Sequence, residues 1–218
     1  MKGKKRILVA PLNWGLGHAT RCIPIINALL EFNFEPVIAS DGKALEFLKK
    51  EFPELEFIEL PSYNISYSKK GSHLKLKLLK DAPKILKAIK TEHNIVQDLI
   101  VKNNIYGIIS DNRFGVYSKK VPSVYITHQL NVLSGNTTFI STKLHQKTIK
   151  KFDECWVPDF KKNYSLSGVL GHSENPLIPT KYIGVTVSKF NAARTIKVKN
   201  HKTMFNLKNN LILDREKL

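Results

Sequence analysis

The chain has 218 residues, of which 42% are hydrophobic and 24% charged. That is ordinary globular usage, enough for one large domain or two small ones, and it excludes wholly disordered, collagen-like and coiled-coil chains. Lys and Arg number 35 against 18 Asp and Glu, a net charge of +17, which suggests a polyanionic partner, either nucleic acid or an acidic membrane surface.

Ile7 to Ala10 is a short apolar run ending at Pro11, the pattern of a strand buried on both faces. A turn, Leu12-Asn13-Trp14-Gly15-Leu16-Gly17, follows it. Ile23, Ile26, Ala28, Leu29 and Leu30 then form a helical stripe that stops at Asn33. Pro36 to Ala39 reads as a second strand. Ser40-Asp41-Gly42 caps a helix carrying Ala44, Leu45, Phe47 and Leu48, and Phe57 to Leu60 is a third strand closed by Pro61. Strand-helix alternation of this kind predicts right-handed crossovers and a parallel sheet.

Residues 62 to 73 read as a loop. Leu74 to Lys102 is a long helical pattern with an expected break at Pro83. Ile105 to Ser110 is a strand ending at Asp111, and Val121 to Thr127 is another, with Pro122 at its entrance. Phe139 to Lys151 is helical, Glu154 to Val157 is a strand before Pro158, and Lys181 to Gly184 is a last short strand. The expectation is α/β: a doubly wound, mostly parallel, Rossmann-like sheet of about seven strands within residues 1–190. From Asn191 to Leu218 the alternation fades. Seven basic residues face two acidic ones there, so 191–218 is expected to be a basic, poorly packed tail.

Cys22 and Cys155 are too far apart in sequence to suggest a disulfide framework or a metal cluster, so no cofactor is expected and a reducing compartment fits. No apolar run approaches the roughly 20 residues of a membrane-spanning helix. The basic start is not followed by a secretory h-region, and a cytoplasmic location is expected.

The segment richest in chemistry is Ile7 to Ile26, where a buried strand enters a glycine turn and then a helix. Gly15 and Gly17 let backbone N–H groups approach a ligand, and the helix N-terminus favours anions. His18 at the helix start is either a general base facing the cleft or a capping residue. The dinucleotide fingerprint is incomplete, because Thr20 stands where its third glycine belongs. Asp41 suits a ribose-binding acid, but it suits a helix N-cap better.

Strand-Gly-Leu-Gly-His-helix resembles the opening of the two-Rossmann-domain (GT-B) glycosyltransferases. It is most similar to the superfamily joining the bacterial lipid-II-forming N-acetylglucosaminyltransferase and the monogalactosyldiacylglycerol synthases. Ser40 to Leu48, Ile108 to Gly115, Thr127 to Gln129, Asp153 to Asp159 and Lys181 to Gly184 extend the resemblance in the same order over residues 5–190. It implies an acceptor-binding N-terminal domain, a separate domain for a nucleotide-sugar donor, and inverting transfer of a hexosyl group to an acceptor hydroxyl. It further implies that His18 is the catalytic base and Asp111 its orienting carboxylate. Asp111 has the competing reading of a loop acid paired with Arg113 or Lys119. Asn13, Trp14, His128 and Gln129 are candidates for the acceptor cleft, with Gly15 and Gly17 near the donor phosphates.

Nothing after Gly184 resembles the family's donor domain. A truncation is therefore expected, with donor binding weak or absent in this chain and activity of the chain alone doubtful.

Eight lysines between Lys69 and Lys90, set among leucines and isoleucines, suit a helix lying on an anionic membrane. They equally suit a core-facing helix with a solvated lysine face. The acceptor is a lipid or a glycan, and attachment would be peripheral, on the inner face of the membrane. The alternatives are a nucleotide-sugar 2-epimerase-like enzyme and a non-catalytic binding remnant. A nucleic-acid-binding module is disfavoured because no recognition motif accompanies the charge.

Overall fold

The structure is a computed structural model that describes residues 3–64, 71–131, 145–161, 165–173 and 176–186, with the side chains of 71–81 left aside. The expected tail, 191–218, lies outside the described residues, as do Lys69, Lys70 and residues 139–144. Seven strands form one sheet: β1 (Arg6–Pro11), β2 (Glu35–Ser40), β3 (Glu56–Glu59), β4 (Ile105–Asp111), β5 (Ser123–Ile126), β6 (Glu154–Val157) and β7 (Thr180–Tyr182). Their order is β3-β2-β1-β4-β5-β6-β7, and every pairing is parallel. The expected doubly wound α/β sheet is present.

Helices α1 (Gly17–Glu31), α2 (Gly42–Glu51) and α3 (Gly71–Lys102) cover its faces. Successive residues of β1 serve opposite layers, because side chains alternate along a strand. Ile7 and Val9 join Ala19, Cys22, Ile26 and Leu48 in one core. Leu8 and Ala10 join Val37, Val96 and Ile100 in the other. A third cluster, around Tyr125, Phe152 and Cys155, fills the β5–β6 side. This double burial explains why β1 reads as an unbroken apolar run.

α1 ends at Asn33, whose φ of 61° is left-handed. The N–H of Asn33 bonds to Leu30 O and that of Phe34 to Leu29 O, closing the last turn in a Schellman arrangement. α3 departs from the sequence reading in two ways. It begins at Gly71, inside the expected loop, and it runs unbroken through Pro83. A proline in a helix interior costs about 3 kcal/mol. Downstream, Val96 and Ile100 are buried against the sheet, and such side chains contribute about 1.5–3 kcal/mol each. Tertiary packing therefore outweighs the local break.

One buried charge network holds the loops at the carboxyl edge. Arg113 is fully buried; its Nη1 donates to Asp41 at 2.6 Å, its Nε to Glu92 at 2.8 Å and its Nη2 to Pro61 O at 2.6 Å. Tyr63 donates to Glu92, which also accepts from Gly115 N–H at 2.7 Å. Asp41 occupies the N-cap position of α2, yet its side chain makes no cap bond. It accepts instead from Arg113 and from Asn13 Nδ2 at 3.0 Å. The α2 cap is supplied from another loop, where Asn13 Oδ1 accepts from Ala44 N–H at 3.3 Å. Gly42 between them has a φ of +48°, and a Cβ there would lie 2.5 Å from Asn13 Nδ2, so only glycine fits.

Arg113→Met leaves Asp41 and Glu92 buried without a counter-charge. The expected loss is about 3–5 kcal/mol in urea unfolding, with part recovered by adding Glu92→Gln. A loss below about 1 kcal/mol would contradict this account of the network.

Candidate active site

The β1–β4 pair is the point where the sheet reverses its winding, and ligands of such sheets bind at the carboxyl edge there. Pro11 and Asp111 are register partners at the ends of these two strands. The turn after β1 leads through Gly15, with φ of +74°, into α1, whose first turn has no side-chain cap. Both Gly15 and Gly17 are exposed, and the space around each is open.

His18, in the first turn of α1, meets Asp111 directly: Nδ1 lies 2.9 Å from Oδ1. Their side chains are 13% and 0% exposed. Arg113 and Lys119, the alternative partners for Asp111, are committed elsewhere, to Asp41 and Glu92 and to Asp153. The residue that the sequence reading missed is Arg21. One turn on from His18, it grips Asp111 with two bonds of 2.8 Å, Nε to Oδ2 and Nη2 to Oδ1. Its Nη2 also lies 2.7 Å from His18 Nδ1 and its Nη1 3.4 Å from His128 Nδ1. The available signal was the i, i+3 spacing of His18 and Arg21, which puts both on one face of the helix. Burial alone would raise the Asp111 pKa, but the Arg21 charge and the bonds from His18 and Arg21 outweigh it and hold the carboxyl below its usual range.

A cavity of about 330 Å³ opens beside this cluster. Gly17, Arg21, His128, Asp159, Ser167 and Thr186 give it polar walls, and Pro158, Leu166 and Val185 apolar ones. Asp159, Ser167 and Thr186 were not anticipated. Asp159 is buried and accepts from the N–H groups of Phe160, Leu166 and Ser167 and from the hydroxyls of Ser165 and Ser167. Burial opposes ionisation there, but these donors prevail and depress its pKa strongly. Asp159 thereby fixes the loop that walls the cavity. A second cavity, lined by Leu130, Ile149 and Ile178, measures about 20 Å³, roughly the space of one water.

The remaining candidates lie around this edge. His128 follows β5 and is half-buried beside Arg21, whereas Gln129 is exposed. Trp14 is half-buried in the turn. The side chain of Asn13 is turned to Asp41 and the α2 N-terminus. Among the described residues, no group of three or more His, Cys, Asp and Glu side chains is arranged to hold a metal ion.

No protein-family model matches the sequence, and no curated protein matches it. Solved structures do resemble the fold. A UDP-glucosyltransferase from Polygonum tinctorium capable of glucosylating indoxyl, in complex with 3,4-dichloroaniline, superposes with a TM-score of 0.56 at 10% identity, over 92% of this chain and 56% of its own. UGT2 of Phytolacca americana, complexed with UDP-2-fluoro-glucose and pterostilbene, gives 0.56 at 11% identity, over 88% of this chain and 56% of its own. A glycosyltransferase from Rickettsia africae gives 0.51 at 18% identity, over 83% and 43%. The chain thus shares the Rossmann-like fold of these glycosyltransferases and spans about half of their length.

His128 and His145 both have pKa values below the ordinary 6.5, each chiefly through burial; Arg21 and His18 add to the effect on His128. The unfolded chain therefore binds more protons than the folded one below that pH. Stability is expected to be highest above pH 6.5 and to decline as the pH falls through it. His128→Gln is expected to flatten this decline, as measured by urea midpoints between pH 7.5 and 5. An unchanged slope would remove His128 from the effect.

Proposed function

We propose that residues 1–190 form the acceptor-binding half of an inverting glycosyltransferase that moves a hexosyl group from a nucleotide sugar to an acceptor hydroxyl. The observation that carries this reading is the His18–Asp111 contact of 2.9 Å at the carboxyl edge, beside a cavity and on a fold shared with sugar-transferring enzymes. Asp111 accepts the Nδ1 proton of His18, which leaves the Nε2 lone pair available. Nε2 takes the acceptor proton as the acceptor oxygen attacks the anomeric carbon. The bond from that carbon to the diphosphate oxygen breaks, and the nucleoside diphosphate departs with its electrons. A single displacement of this kind inverts the anomeric centre.

Gly15, Gly17 and the uncapped start of α1 offer N–H groups to the departing phosphates. His128, Gln129 and Trp14 border the acceptor. In this scheme most donor contacts come from a separate domain, and residues 1–190 supply the acceptor side. The lysine side of α3 supports a cytoplasmic enzyme resting on an anionic membrane face: Lys84, Lys87 and Lys90 are exposed, and Leu86 beside them is 65% exposed. Among the described residues, no helix is long and apolar enough to cross a membrane.

In the active enzyme, His18→Ala is expected to lower kcat by about 10²–10⁴-fold, the usual contribution of a general base. The readout is acceptor-dependent release of nucleoside diphosphate from a uridine-diphosphate sugar, and unchanged turnover would remove His18 from the chemistry.

For the membrane contact, each lysine near an anionic surface contributes on the order of 1 kcal/mol. Co-sedimentation with phosphatidylglycerol vesicles should exceed that with phosphatidylcholine, and Lys84, Lys87 and Lys90→Gln should weaken it. Equal binding to both vesicles, or none to either, rules the contact out.

A further inference from the structure

Asp111 is fully buried and both of its oxygens are taken. Oδ2 accepts from Arg21 Nε at 2.8 Å, with the Cys22 thiol 3.9 Å away. Oδ1 accepts from Arg21 Nη2 at 2.8 Å and from Asn112 Nδ2 at 3.3 Å, and lies 2.9 Å from His18 Nδ1. A carboxylate this deeply buried is sustained only by a paired positive charge. Two neighbours can supply one. Arg21 always carries it, whereas His18 carries it only when doubly protonated. If His18 were the counter-ion, both of its nitrogens would hold protons and it could not act as a base.

We propose that Arg21 is the counter-ion of Asp111 and so a positioning residue of the reaction: by neutralising the buried carboxylate it leaves His18 an uncharged imidazole. Three distances form one triangle: Arg21 Nη2 to Asp111 Oδ1 at 2.8 Å, His18 Nδ1 to the same oxygen at 2.9 Å, and Nη2 to Nδ1 at 2.7 Å. The guanidinium thus satisfies the carboxylate, and its charge beside the ring disfavours a second proton on Nε2. Among the described residues, the groups facing this cluster are Arg21 and Cys22 from α1, Asp111 and Asn112 at the end of β4, Tyr125 of β5, whose buried hydroxyl is pushed further toward its neutral form, and His128 beyond β5. Burial raises the Cys22 thiol and keeps it uncharged. His128 is pushed toward its neutral form, chiefly by burial. Among the described residues, Arg21 is therefore the one permanent cation in the cluster. A lysine cannot reproduce its two-pronged grip, but it can reproduce the charge.

The inference rests on the proposed role of His18 as base, and its test is independent of turnover. Histidine-selective NMR of the 218-residue chain follows the His18 ring across pH, its signal assigned by its loss in His18→Gln. In Arg21→Gln, Asp111 has only His18 left as a counter-charge, so His18 should gain its second proton at a pH higher by about one unit or more. Arg21→Lys should stay near the unsubstituted chain. An unchanged midpoint in Arg21→Gln overturns the proposal. If that variant does not fold, Asp111→Asn is compared with Arg21→Gln/Asp111→Asn, which leaves no unpaired buried charge. The double variant should protonate at the higher pH, and equal midpoints overturn the proposal.

Turnover then separates the two readings. In the active enzyme, Arg21→Gln should move the acid limb of the kcat/KM profile to higher pH. If the ring titrates as stated but His18→Ala turns over normally, the counter-ion assignment stands and the reading of His18 as the base falls.

Discussion

Arg113 has no access to solvent, and its charge dictates where the loops of the carboxyl edge lie. A guanidinium offers five donors in a fixed plane, and here three chain segments converge to accept from it: the β2–α2 turn through Asp41, the middle of α3 through Glu92, and the β3 exit through Pro61 O. Burial works against the charged form, but Glu92, Tyr63 and Asp41 more than compensate and hold the guanidinium firmly protonated. Asn13, bonded to Asp41, extends the control to the glycine turn after β1. The turn that presents His18 is therefore anchored by a charge on another strand's loop.

A single residue separates Arg113 from Asp111. Asp111, Asn112 and Arg113 are consecutive, yet Asp111 points to α1 while Arg113 points to α2 and α3. Asn112 makes this division possible. Its φ of 59° places it in the left-handed region, which asparagine tolerates better than most residues, and its side chain is held by the Tyr125 hydroxyl at 3.1 Å. The reversal at Asn112 keeps the Asp111–Arg21 and Arg113–Asp41–Glu92 pairs from exchanging partners. That is why the pairing of Asp111 with Arg113, natural from their spacing, is not the one found.

The fold was legible because a parallel sheet buries its strands on both faces, so Ile7 to Ala10 and Cys155 to Val157 stand out as short apolar runs. Where local rules compete with packing, the reading failed. Pro83 is a breaker by its own chemistry, but Val96 and Ile100, roughly four to five turns later, hold the helix against the sheet. Asp41 was correctly placed at the start of α2, yet its side chain serves Arg113, 72 positions away, and Asn13 supplies the cap in its stead. The meeting of His18 and Asp111 was legible because each directly follows a strand or its turn at one edge. Arg21 was not, because an arginine on a helix reads as surface until its partner, 90 positions on, is brought to it.

The same burial alters the meaning of the net charge. Among the described residues five carboxylates are buried, Asp41, Glu92, Asp111, Glu154 and Asp159, against a single buried arginine. Those acids neutralise internal donors: Arg113, Arg21, the N–H groups around Asp159, and Lys181 at Glu154. Their negative charge is spent inside the fold, while exposed lysines such as Lys43, Lys49, Lys50, Lys84, Lys87 and Lys90 face water. The exterior is thus more basic than a formal sum of +17 conveys. A field of that sign draws in phosphate-bearing molecules over about a Debye length, roughly 8–10 Å in physiological salt. Beside His18, however, the Arg21 charge is cancelled locally by Asp111. The surface attracts anions broadly, while the paired Arg21 and Asp111 add little net charge beside His18.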